Sequence, residues 1–297
     1  MEALNELKVN QDTIVEEKSG INATQLKLIA LLTMFIDHIG AIIMPCLIDS
    51  AQANQNLSLF ISLEGILILM RLIGRVSFPI FAFLIVNGYF HTSNKSNYLL
   101  RLTVFALISE PFFDFANTGM WLEFTHQNVF FTLALGLLTI WGYDNIAKAN
   151  SFNFVAGLYV LTMSLMAVNL RTDYDFYGVL MIFIFYLFYQ NKMRLCVMMI
   201  LLNLLLYGPS IAMWPYVSSL IHDSYGFQLT GIKNLLLQIF VYLKCISQLF
   251  SVIALWPLVK YNGEKGDSTL NKYAFYLFYP IHLCLLGLIV SVLKYIL

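Results

Sequence analysis

Apolar residues along this chain come in runs of about 20 separated by short polar breaks, a rhythm that predicts an all-α, polytopic helical bundle crossing a bilayer. The runs place spans near residues 26–45, 72–90, 99–116, 129–147, 152–170, 177–190, 194–208, 234–259 and 273–295. The expected fold is therefore about nine transmembrane helices, where the chain length has room for roughly eight to ten. One segment departs from the rhythm. Leu57 to Met70 is apolar but short, contains Glu64-Gly65 and runs into Arg71 and Arg75, which predicts a re-entrant or interfacial helix.

Charge gives that segment a test. If it does not cross and the N-terminus is cytoplasmic, the inner side receives Lys8, Lys18, Lys27, Lys95, Arg101, Lys148, Lys192, Arg194, Lys260, Lys265 and Lys272. The outer loops then keep only Arg171 and Lys233. If it crosses, every later loop changes side and the bias collapses. The sequence divides into a polar N-terminal tail over 1–24 and a single membrane domain over 25–297, with a flexible turn over 261–272. The tail lacks a small-residue cleavage pattern, so the first span is expected to be retained.

Composition agrees with this solvent: 59% of residues are hydrophobic and 11% charged, against roughly 25% charged in soluble domains. The lipid bilayer is the first expected partner. A net charge of zero gives no reason to expect nucleic acid. Cys46, Cys196, Cys245 and Cys284 are scattered without ligand spacing, and no metal site is expected.

Candidate chemistry sits where apolar runs hold ionisable residues. Asp37-His38 lies inside the run from Leu26 to Met44, with His38 about 18 Å along the helix from Leu26. A charge near the bilayer centre costs at least ~2.5–3.5 kcal/mol, so such a pair is expected to face protein or a wet cavity. Neighbours on a helix point about 100° apart and must address different partners. The economical arrangement pairs Asp37 with an arginine of the next span, Arg75 or Arg71 one turn away, and leaves His38 facing a cavity. A neutral imidazole there can act as a general base or accept an acyl group. A hydrogen-bonded histidine that only joins two helices explains His38 as well, and arginines that only snorkel to headgroups explain Arg71 and Arg75.

Glu110-Pro111, His126, Asn128 and His282 complete the set of substrate- or cofactor-binding candidates. Each has a plainer role open to it: a helix kink for Glu110, capping for Asn128, and Pro-kinked packing for His282, which follows Tyr279-Pro280 and is expected nearer the inner side. The outer loops add Asp173, Asp175, His222 and Asp223.

Taken in order, Met34-Phe35-Ile36-Asp37-His38-Ile39-Gly40, Ile73-Gly74-Arg75-Val76-Ser77-Phe78-Pro79-Ile80-Phe81-Ala82-Phe83, Ser109-Glu110-Pro111, Asn128-Val129-Phe130-Phe131-Thr132-Leu133, Asp175-Phe176-Tyr177-Gly178 and Tyr279-Pro280-Ile281-His282-Leu283 resemble the TraX family of bacterial membrane proteins. The likeness covers roughly residues 24–290. The namesake of that family is associated with N-terminal acetylation of conjugative F-type pilin. The resemblance implies a multi-pass protein of the bacterial cytoplasmic membrane. It also implies a membrane-embedded acyltransferase that uses acetyl-CoA as donor and an amine or hydroxyl acceptor, such as a pilin or another envelope molecule. In that reading His38 is general base or transient acyl acceptor, Asp37 is orienting or paired with Arg75, and Arg71 or Arg75 stabilises anionic charge on the thioester oxygen or the cofactor. A proton-coupled transporter with Asp37, His38 and Glu110 as relay is the alternative class, and a non-catalytic scaffold a third. The chain shows no repeat symmetry of the kind many transporters carry.

Overall fold

The computed structural model describes residues 19–149, 153–216, 231–266 and 272–297; most of the expected tail, together with His222 and Asp223, lies outside them. The described residues form helices and no strand, with two isolated bridges, Ile21 to Tyr261 and Gln127 to Thr172. In chain order the helices are α1 (Ala23–His38), a π-helical turn (Ile39–Ile43), α2 (Met44–Ala53), α3 (Leu57–Gly74), α4 (Ser77–His91), α5 (Lys95–Thr118), α6 (Val129–Ala149) and α7 (Asn153–Asn169). They continue with α8 (Asp175–Leu187), α9 (Lys192–Tyr207), α10 (Gly231–Ile246), α11 (Leu255–Val259) and α12 (Lys272–Ile296). Short 3-10 turns follow α9 and α10.

Among the described residues, six helical stretches are long and apolar enough to cross a membrane: 23–53, 57–91, 129–148, 192–216, 231–259 and 273–296. The expected count of about nine is not reached, for physical reasons. α5 carries Arg101, Glu110 and Asp114 within its 24 residues, while α7 and α8 are apolar but only 17 and 13 residues long. These three complete the bundle without meeting the length and polarity of a span.

The segment at 57–70 is not a separate short helix. It belongs to the 18-residue helix α3, which breaks only at Arg75-Val76 before α4 carries the chain on. This broken helix runs antiparallel to α1 and α2 along their whole length. Phe60 packs with Met44, Ile48 and Ala51 at one end, Gly74 meets Asp37 in the middle, and Leu84 and Gly88 share a cavity with Lys27 and Leu31 at the other. Residues 57–91 thus form one continuous helical stretch and a single candidate span.

Lipid offers no hydrophobic drive between helices, so close approach depends on small residues. Gly40 lets Met70 Cβ come within 2.9 Å of where a Cβ would stand, and a Cβ on Gly74 would collide with the Asp37 carboxylate. The π turn has a local cause. Pro45 has no N–H and its ring opposes the carbonyl four residues earlier, so the chain widens and the Met44 N–H bonds to the Ile39 carbonyl instead. α1 itself starts on a capping box, Asn22 with Gln25, and its first amides are held by the loop at 260–265: Ala23 N–H donates to the Glu264 carbonyl and Thr24 N–H to that of Lys265.

Candidate functional site

At the C-terminal end of α1, where the π turn begins, Asp37 and His38 turn to different partners, as neighbours on a helix must. Asp37 Oδ2 accepts from Arg71 Nη1 at 2.6 Å, while Arg75 Nη2 stands 3.7 Å from Oδ1. The tight ion pair is therefore with Arg71 rather than Arg75. Arg75 donates instead to Gln248 Oε1 at 3.1 Å, in the 3-10 turn after α10, and its Nε–H has no acceptor. Gln248 gave no sign in the sequence, because an amide in an apolar run carries no charge signal.

His38 Nδ1 lies 2.7 Å from His282 Nε2, and His282 Nδ1 lies 2.7 Å from the Phe278 carbonyl oxygen. The hydrogen-bond directions follow from the carbonyl, which can only accept. His282 Nδ1 must carry the proton; its Nε2 is then an acceptor when neutral; His38 Nδ1 must donate to it. This leaves His38 Nε2 with a bare lone pair. The two rings stack at 4.9 Å, flanked edge-on by Tyr279 and Phe35. His282 is thus at the depth of His38, not nearer the inner end: α12 runs parallel to α5, Phe105 stacking on Tyr276 and Phe115 on Gly287, and brings His282 up to the start of the π turn.

A cavity of about 150 Å3 is lined by Asp37, His38, Arg71, Arg75, Asp173 and Tyr174, among others. The last two come from the loop between α7 and α8. Gln127 N–H fixes that loop by donating to the Arg171 carbonyl, Tyr174 N–H donates to Thr132 Oγ1, and Tyr174 stacks on Phe78 at 3.7 Å. Arg171 and Asp175 both hold positive φ, 52° and 42°, so the loop keeps a conformation that side chains disfavour in order to place these two residues. Asp173 is open to the cavity, yet surrounding protein pushes its carboxyl up to about 6, opposed by the nearby Arg75 and Arg71.

A second cavity of about 630 Å3 lies toward the Lys27 end of α1. The two cavities share Met34, Phe81, Val129 and Tyr279, which form a wall between them. The Tyr279 hydroxyl, buried in that wall, has no acceptor for its proton, although the Val129 N–H approaches its oxygen.

Of the other expected site residues, Glu110 and Asn128 make a separate cluster. The Glu110 carboxylate accepts from the Asn128 amide N–H at 3.1 Å and from its side-chain Nδ2, which also donates to the Ala106 carbonyl at 2.8 Å; Asn128 Oδ1 accepts from Phe130 N–H at 3.0 Å. Neither lines either cavity. They fasten the start of α6, and so hold Val129 in the wall. His126 is exposed in the preceding loop, beside Asp175. A relay from Asp37 and His38 to Glu110 is not formed. Among the described residues, no group of three or more His, Cys, Asp or Glu side chains is placed to hold a metal.

Comparison with known proteins places this geometry in context. A family model described as TraX protein matches residues 22–290. The chain is 28% identical over 274 residues, 89% of its own length and 94% of the relative's, to a protein of Dichelobacter nodosus described as probable fimbrial assembly protein FimC, serogroup H1. No solved structure matches.

Proposed function

The chain belongs to the TraX family, and from that premise we propose that this multi-pass membrane protein serves pilus assembly as an acyltransferase, moving the acetyl group of acetyl-CoA to an amine or hydroxyl of an envelope acceptor such as a pilin. The bacterial cytoplasmic membrane, with the lysine-rich end of the bundle facing the cytoplasm, is the location this reading takes.

The observation that carries the reading is the Phe278 carbonyl–His282–His38 series, which leaves a bare imidazole nitrogen beside two arginines in a cavity. Fixing the tautomer of a base through a partner on its other nitrogen is how orienting groups raise basicity and aim a lone pair. His38 Nε2 takes the proton of the acceptor's N–H or O–H as its lone pair bonds the thioester carbon. The carbonyl oxygen becomes an oxyanion facing the free Nε–H of Arg75 and the Tyr279 hydroxyl. Collapse breaks the C–S bond, and the thiolate leaves with the proton from His38. Asp37, tied to Arg71, offsets part of the arginine charge so that two guanidinium groups can share an apolar site.

The test is direct. Protein purified into nanodiscs, given acetyl-labelled acetyl-CoA and a peptide with a free N-terminal amine, should release CoA thiol and transfer label, and His38→Gln should not. A wild-type protein that neither transfers nor hydrolyses the thioester with amine or hydroxyl acceptors would overturn the reading.

A further inference from the structure

The larger cavity has a charge pattern that the small one does not explain. Lys27, Arg101 and Lys265 line it, and none of the three makes a salt bridge among the described residues. Lys27 and Lys265 act on each other electrostatically. Instead of carboxylates the cations have aromatic rings: Lys27 Nζ stands 5.2 Å from the Phe275 centroid, and Arg101 Cζ stands 5.5 Å from that of Tyr98 and 5.7 Å from that of Tyr276. The Nε–H of Arg101 is buried with no acceptor. Elsewhere at this end the balance differs, because Asp144 gathers Lys95, Lys148 and the hydroxyls of Tyr89 and Tyr186. Three cations without carboxylate partners around one cavity, one of them with an unmet buried donor, make a lining complementary to an anion.

We propose that this cavity binds a phosphate-bearing ligand through Lys27, Arg101 and Lys265, and that the ligand is the nucleotide end of the thioester donor. The assignment rests on the acyltransferase reading and adds where the donor sits. Its phosphates are held at the lysine-rich end, its thioester arm points along the cavity toward the wall of Met34, Phe81, Val129 and Tyr279, and its acyl group meets His38 beyond it. Donor and acceptor then approach His38 from different cavities. Met34 is unbranched, and rotating it with the Phe81 ring is the smallest change that joins the two.

The experiment measures CoA binding calorimetrically to the full-length protein in nanodiscs of phosphatidylcholine alone, with pantetheine, which lacks the phosphates, as the second arm. CoA should bind and pantetheine should bind at least tenfold more weakly. Arg101→Gln and a Lys27→Gln/Lys265→Gln pair should each weaken CoA at least tenfold and reduce the salt dependence, while His38→Gln binds CoA normally. In turnover the same substitutions should raise KM for acetyl-CoA with kcat changed less than threefold. A phosphate carried by lipid gives a different pattern: anionic phosphatidylglycerol retained by the purified protein, lost in the variants, and CoA not bound. That outcome overturns the donor assignment. Transfer that proceeds with unchanged KM in the variants overturns the site while leaving the acyltransferase reading intact; charge-dependent CoA binding without any transfer keeps the site and removes that reading. If Arg101→Gln accumulates poorly, Arg101→Lys, which retains charge and loses the Nε–H, should bind CoA with intermediate affinity.

Discussion

Asp37 and Glu110 are both carboxylates set in apolar helices, and the molecule uses them in opposite ways. Glu110 is spent on architecture. One oxygen, Oε2, takes the amide and side chain of Asn128, the same Asn128 reaches back to the Ala106 carbonyl, and the other, Oε1, is buried without a partner, away from both cavities described above. Asp37 holds Arg71 tightly and Arg75 loosely, and the group they form looks into a cavity with an arginine N–H and a histidine nitrogen still uncommitted. Burial of a charge, taken alone, distinguishes nothing. What separates the two clusters is whether the groups left uncommitted line a cavity, as those beside Asp37 do and Glu110 Oε1 does not.

The strongest way to break that comparison is to remove one group from each cluster. His38→Gln should cost about 10²-fold or more in acetyl transfer, the usual worth of a general base, while the protein accumulates normally. Glu110→Ala should do the reverse, lowering stability by about 1–3 kcal/mol through the unpaired groups of Asn128 and reducing turnover only modestly. Thermal unfolding in nanodiscs and transfer assays read the two effects separately, and a Glu110→Ala protein that unfolds like wild type but cannot transfer acetyl would invert the assignment.

His282→Phe keeps ring size and stacking but leaves His38 Nδ1–H without its acceptor. Turnover should fall roughly 10- to 100-fold, the loss expected when a base is deprived of its orienting partner. His282→Gln can still accept from His38 and donate to the Phe278 carbonyl, and should recover most of the activity. Equal losses in both variants would mean that the second ring matters for packing alone.

A smaller effect is expected at Gly74, where a Cβ would strike the Asp37 carboxylate. Gly74→Ala should push α3 away from α1, lengthen the Arg71–Asp37 pair and cost about 1–3 kcal/mol by overpacking. Gly157, with nothing within 4 Å of its would-be Cβ, is the control: Gly157→Ala should be neutral or stabilising, by up to about 1 kcal/mol. Similar unfolding midpoints for the two variants would remove the close approach from the account.

The smallest predicted effect is one of pH. The Asp173 carboxyl, raised to about 6 by the protein around it, gains its negative charge between about pH 5 and 7. Anion affinity in the small cavity should therefore decline, by about two- to threefold, as pH rises through 6, and Asp173→Asn should flatten the profile. By linkage, the raised value gives a contribution to stability that is complete below the ordinary carboxylate range near about 4 and is lost as pH rises through about 6. An unchanged profile in Asp173→Asn assigns the inflection elsewhere.

Much of the site was legible before the fold. An ionisable pair at mid-span, and two arginines one turn apart at the next apolar run, advertise themselves because each is costly unless paired. Three features were not legible for the same reason in reverse. Gln248 is uncharged and blends into an apolar run, Asp173 reads only as an outer-loop residue because the inward turn that brings it and Tyr174 to the cavity depends on Gln127 and Thr132, and Pro45 signals the π turn only once its opposing carbonyl is known. At 57–70 the sequence also suggests a short separate segment, because Arg71 and Arg75 resemble the end of an apolar run, whereas they lie near the middle of one long broken helix.

By itself the sequence determined the solvent, the all-helical class and the need of Asp37 and His38 for separate partners, since transfer free energy and helical geometry act locally and are written in every run of residues. Only the tertiary structure decided which partners they have. His38 and His282 are separated by 244 positions, and the 2.7 Å between their nitrogens depends on α12 lying parallel to α5 and rising to the π turn. The free nitrogen of His38 follows from that contact, because a tautomer is set by the hydrogen bond at the other side of the ring, and no local pattern specifies it.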